Sequence, residues 1–194
     1  MKSKRNEILM KLIFCSIMAS FAIVLDKYLG FPKGNYFLKF TLYGLPLMFT
    51  GIMFGKIYGL FSGLISGIVL QLTSDWGISI TSIFWALPPI AWGFVSGLLS
   101  DLFKKNLNII KIIIIVGASS ISALLLNTFA MVMEGVIFND PNYTSAKILT
   151  ELPPRIISML ILWIAYTFVL KILYNSLKDK FIKNNQEEID DIED

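Results

Sequence analysis

The sequence has no histidine and one cysteine among 194 residues. Without histidine there is no HExxH zinc helix and no Ser-His-Asp relay. With Cys15 alone, no disulfide framework forms within the chain and a thiolate metal cage has too few ligands. A lone Cys in an apolar run reads as a small buried side chain. No GxxxxGK[ST] phosphate loop occurs, so the chain does not hydrolyse nucleotide in the manner of a P-loop ATPase. Charge is also scarce: Asp, Glu, Lys and Arg make up 16% of the chain, against 55% hydrophobic residues. A soluble domain carries roughly 25% charged residues. Paired acids are missing from the apolar runs, where an ion-coupled carrier keeps its ionisable groups. These absences argue against an enzyme and an autonomous pump, and no nucleic-acid partner is expected.

What remains is a set of long charge-poor runs. A helix needs about 20 apolar residues to cross a bilayer. The pattern predicts six such spans, near 8–29, 38–55, 57–74, 78–101, 111–135 and 153–175. The runs are apolar on all sides and do not alternate as barrel strands do, so the expected class is an all-α polytopic bundle. Lys2, Lys4 and Arg5 precede the first run, but no small-residue cleavage pattern follows, and it reads as a retained span. Lys56 divides the second run from the third, and a tight turn is expected at Gly55-Lys56.

The charges are segregated. Six of the 14 acidic residues lie in the last eight positions, and without them the net charge is +9. With a cytoplasmic N-terminus, twelve Lys and Arg fall inside and five (Lys27, Lys33, Lys39, Lys147, Arg155) outside. The positive-inside rule then places both termini in the cytoplasm. Residues 1–183 form the membrane domain, and 184–194 read as a disordered acidic tail with nothing apolar to bury.

The outer connections hold the candidate ligand chemistry. Arg155 follows Pro153-Pro154, a pair suited to a helix start. Its guanidinium can clamp a carboxylate with two parallel hydrogen bonds, or snorkel to the interface. Asn127 lies deep in the fifth span, where an amide must bind a ligand or bridge helices. Lys39 opens the second span and has the same two readings as Arg155. Trp76 and Trp85 flank the fourth span, as belt anchors or as stacking surfaces for a flat heteroaromatic ring. Glu134 can pair with Arg155 or accept from a ligand donor. Gly51, Gly55, Gly59, Gly63 and Gly67 recur every four residues, a small-residue face for close helix packing against an unspecified neighbour.

Lys39-Phe40 with Leu45-Pro46 and Gly51-x-x-Phe54-Gly55, then Trp85-Ala86-Leu87 leading to Gly93-x-x-x-Gly97-Leu98, then Asn127-Thr128 and Leu152-Pro153-x-Arg155, follow in an order that resembles the substrate-binding (S) subunits of energy-coupling factor transporters. The folate-type members are the most similar. The resemblance covers about residues 8–175. It implies a vitamin captured from outside, most simply folate, with a membrane scaffold subunit and two cytoplasmic ATPases as partners in the cell membrane. A pterin would then lie among Trp76, Trp85 and Tyr36, with its glutamate carboxylates on Arg155 or Lys39. The scaffold-docking face on the first span would be Ser16, Ala19 and Ser20, where the family commonly has Ala-x-x-x-Ala. Gly55-Lys56 stands where the family has Gly-Pro, and Gln71-Leu72-Thr73-Ser74 replaces Asp-x-x-Gly. No cofactor or metal is expected. Two alternatives stay open: a sibling subunit for pantothenate, riboflavin or a queuosine precursor, and an accessory membrane protein without a ligand.

Overall fold

The computed structural model describes residues 2–29, 42–74, 77–140 and 143–181. Every regular element among them is a helix: α1 Lys2–Leu29, α2 Gly44–Phe54, α3 Lys56–Leu72, α4 Ser82–Trp85, α5 Leu87–Leu102, α6 Ile109–Phe138 and α7 Ser145–Phe181. Four apolar segments are long enough to cross a membrane: Arg5–Tyr28, Ser82–Leu102, Ile109–Phe138 and Ser145–Lys178. α2 and α3 are shorter, at 11 and 17 residues. At 1.5 Å per residue they are about 16 and 25 Å long, beneath the roughly 30 Å of a hydrocarbon core.

The outside of the bundle is as apolar as the inside. Ile17, Phe21, Leu125, Ile161, Ile164 and Phe168 are all exposed. A water-soluble chain does not leave so continuous an apolar surface. With four spanning segments, this is a multi-pass membrane protein. The interior is built on Leu47, Met48, Ile52, Ile112, Ile115 and Leu170, all fully buried.

Gly55 breaks α2 from α3 at φ +95°, a left-handed conformation that suits glycine. The expected turn at Gly55-Lys56 is therefore present, and the two helices fold back on each other. Asp101 of α5 secures it: the Lys56 N–H donates to Asp101 Oδ2 at 3.0 Å, so a carboxylate caps the positive end of α3.

The glycine face has its partner in α5. A Cβ on Gly59 would lie 2.1 Å from the Gly93 carbonyl oxygen, and one on Gly51 2.3 Å from the same atom. Further along, Gly63 meets the backbone of Pro89 and Ile90, and Gly67 that of Ala86. Three backbones are thus in direct contact, with no room for any side chain. Serines tie the same helices together. Ser96 and Ser100 of α5 donate to the carbonyls of Met48 and Ile52 on α2 at 3.3 and 2.8 Å. Ser62 and Ser66 of α3 donate to Cys15 and Ala19 on α1 at 3.5 and 3.4 Å. Cys15 is buried, and its thiol lies 3.7 Å from the Tyr58 carbonyl oxygen.

Two element boundaries differ from the expectation. The span expected at 78–101 is split at Ala86 into α4 and α5. Pro88 and Pro89 have no N–H to give the carbonyls one turn back, so the helix breaks just before them. The span expected to begin at 153 begins at Ser145, and Pro153 and Pro154 lie inside α7. The carbonyls they leave without helical donors belong to Leu149 and Thr150, both exposed residues at the rim.

Candidate functional site

One end of the bundle gathers the polar and aromatic side chains. It comprises the last turn of α1, the start of α2, α4, the last turns of α6 and the first turns of α7. Tyr43 stands at its centre, just before α2. Tyr43, Trp92 and Tyr166 are 8%, 5% and 3% exposed. The Trp92 side chain lies beside that of Tyr43. Its ring packs edge-on against Tyr166, with centroids 6.0 Å apart. Gly44 makes this possible, because a Cβ there would stand 2.9 Å from the Trp92 ring. Tyr43 also lies within electrostatic reach of Asp26 on α1 and Arg155 on α7.

Nearer the rim is a second aromatic pair. The Trp85 indole N–H donates to Glu134 Oε2 at 2.9 Å, and the Trp85 ring sits 6.3 Å from that of Tyr143. Glu134 therefore bonds Trp85 and forms no ion pair with Arg155. The reason is positional: Glu134 faces α4, whereas the guanidinium meets α6 one turn deeper. There Arg155 Nη1 contacts Met131 Sδ at 2.8 Å. A thioether is a weak acceptor for a charged donor. Arg155 Nη2 is buried, with no hydrogen-bond partner among the described residues.

Asn127, Met131 and Glu134 share one face of α6, at spacings of four and three residues. Asn127 is half-buried there, two turns deeper than Glu134. Trp85 closes α4 and Trp92 lies within α5, so the two aromatic pairs belong to different helices. Arg155 reaches the α6 face at Met131.

The structure brings together Arg155, Trp85, Glu134 and Asn127 among the residues expected from sequence. Lys39, Tyr36 and Trp76 lie outside the described residues. Of the expected docking face, Ser16 and Ser20 are exposed on α1, with hydroxyls donating to their own helix at Leu12 and Ser16. Ala19 is not on that face. It is fully buried and turned toward Ser66 of α3. Asp26, Tyr43, Trp92, Met131 and Tyr166 join this end without being singled out by the sequence pattern. Tyr and Trp in apolar runs carried a signal, since a buried hydroxyl or indole N–H needs a partner. The run alone did not distinguish them from belt residues.

The bundle defines a multi-pass membrane protein with aromatic and polar side chains gathered at one end. Across residues 8–175 the chain matches the family described as ECF-type riboflavin transporter, S component. The chain belongs to that family. It is a family of transporter subunits, not of enzymes; its members bind a vitamin and work with a scaffold subunit and ATPases. Curated proteins include no match to this chain.

Proposed function

We propose that this chain is the capture subunit of a vitamin importer and that its ligand is riboflavin. The family match over residues 8–175 carries the reading. The geometry supports it: at the rim, Trp85 beside Tyr143 supplies aromatic surface for a flat ring. Stacked or edge-on aromatic contacts favour such a ring by about 0.5–1.5 kcal/mol each beyond area burial. Riboflavin was one of the alternatives open from sequence; the description of the matched family moves it ahead of folate. Folate remains the second reading, favoured by the unpaired Arg155 Nη2 as a donor for a carboxylate.

In this reading the chain crosses the membrane six times, with α2 and α3 as a tight pair and both termini inside. The twelve-to-five Lys and Arg asymmetry supports that orientation. The Tyr43 end then faces outward. Residues 1–183 act as the binding domain, and 184–194 trail in the cytoplasm. The membrane scaffold and two ATPases supply the energy, with α1 a candidate docking helix through Ser16 and Ser20. Lys39, Tyr36 and Trp76 would complete the site from the outer connections.

The test is a thermal-shift panel of vitamins on the detergent-purified chain. A ligand at 100 times its Kd raises stability by about 2.7 kcal/mol. A rise with riboflavin supports capture of riboflavin, and a rise with folate alone supports the second reading. No rise with any vitamin would favour an accessory protein. A reporter fused to the C-terminus and found outside would overturn the orientation.

A further inference from the structure

At the end opposite Tyr43, the loop from α5 to α6 turns through two lysines in the left-handed region, Lys104 at φ +51° and Lys105 at φ +52°. Residues with a side chain keep that conformation only where their surroundings fix it. Here three successive carbonyls are tied down by side chains. The Tyr174 hydroxyl of α7 donates to the Lys105 carbonyl. Lys111 of α6 donates to the Asn106 carbonyl at 2.7 Å, and Lys171 of α7 to the Leu107 carbonyl at 3.1 Å. Those two carbonyls belong to adjacent residues, which holds the two ammoniums within about 12 Å of each other. Each ammonium also faces a ring: Lys111 lies 5.6 Å from the centroid of Phe103, and Lys171 5.8 Å from that of Tyr174.

An ammonium has three donors, and neither of these has a carboxylate partner among the described residues. The described carboxylates of this end are engaged elsewhere, Asp101 with the Lys56 N–H and Glu7 with Lys11. The N–H groups of Lys104 and Lys105 are engaged too, with the carbonyls of Asp101 and Ser100. The loop therefore presents paired positive charge rather than backbone donors. Beside it the surface is apolar. Ile110 and Ile172, the sequence neighbours of the two lysines, are 61% and 66% exposed, and Leu102 at the end of α5 is 67% exposed. A free anion makes no use of that apolar surface. A phospholipid with a net negative headgroup uses both, its phosphate on the ammoniums and its chains on the isoleucines.

We propose that Lys111 and Lys171 form a site for the phosphate of an anionic phospholipid, seated on the loop that joins α5 to α6. In the orientation proposed above, the site faces the inner leaflet.

The experiment is native mass spectrometry of the full chain in detergent with equimolar phosphatidylglycerol and phosphatidylcholine. The wild type should retain phosphatidylglycerol at least about tenfold over phosphatidylcholine. Lys111→Gln and Lys171→Gln should each lower that ratio about fivefold, and the pair should bring it near one. The single variants keep the test open if the pair does not fold. Lys147→Gln, near the other end of α7, should leave the ratio unchanged. Equal retention of both lipids by the wild type overturns the proposal, as does an unchanged ratio in the single variants. Displacement of the lipid by millimolar inorganic phosphate would assign the site to a free anion. Displacement by a synthetic peptide of residues 184–194 would assign it to the chain's own acidic tail. Either result overturns the lipid, and none of these readings depends on which vitamin is captured.

Discussion

The seam between α2, α3 and α5 and the Tyr43 end of the same bundle are built on opposite terms. In the seam, backbone lies on backbone at Gly51, Gly59 and Gly93, and the serine hydroxyls are all taken by neighbouring carbonyls. At the Tyr43 end, a guanidinium rests on sulfur and one of its nitrogens has no partner among the described residues. Dense, satisfied contacts give one rigid arrangement. An unsatisfied donor in an aromatic surround is the exception among buried polar groups and fits the capture reading proposed above. A capture protein needs both, because a site that is to bind without rearranging must be fixed by a scaffold that does not yield.

The sharpest way to break the comparison is Gly59→Ala. Its methyl would enter the Gly93 carbonyl, a backbone atom that cannot rotate away. Overpacking of this kind costs about 3 kcal/mol or more. The expected result is loss of folded protein, measured by thermal unfolding in detergent; a variant that melts within a few degrees of wild type would show that the seam has slack. Next in size is Asp101→Ala, which removes the acceptor for the Lys56 N–H. A lost helix cap costs about 0.5–2 kcal/mol, and the melting temperature should fall with ligand response intact. A fall in ligand response at constant stability would instead link this end to the site.

At the Tyr43 end the expected stability effects are smaller and the ligand effects larger. Glu134→Gln keeps an acceptor for the Trp85 indole but removes its charge. The ligand-free protein should lose about 1 kcal/mol or less, while flavin binding changes measurably by calorimetry. Smallest of all is Ser16→Ala with Ser20→Ala, whose hydroxyls serve their own helix on an exposed face. Stability should stay within about 0.5 kcal/mol of wild type. Weakened assembly with the scaffold subunit, read by co-purification, would assign that face to docking.

How much of this was legible beforehand varies by element. The first and fifth runs were plain, because a long charge-free stretch has few alternatives in a bilayer. The four-residue glycine period announced a close approach but not its partner; only the arrangement of α5 supplied Gly93 and Gly97. The starts of α5 and α7 were misplaced for a local reason. A Pro pair can open a helix, interrupt one or sit within its first turns, and its own residues do not tell which. Arg155, Trp85, Asn127 and Glu134 were legible as polar or amphipathic groups near one end. Their pairings were not. Glu134 meets Trp85 because α4 is a separate short helix, and no spacing rule predicts that. Asp26, Tyr43, Trp92 and Tyr166 come from four elements, and no sequence window contains two of them besides the site's own neighbours.

The sequence by itself determined an all-helical membrane protein, its charge asymmetry and the turn at Gly55, because each follows from solvation or backbone sterics acting within a short window. The tertiary structure alone decided that the glycine face meets α5, that Ala19 is buried, and that Arg155 stands under-bonded against Met131. Those depend on which helices pack together, and hydrogen bonds and charges between helices are defined only once that packing exists.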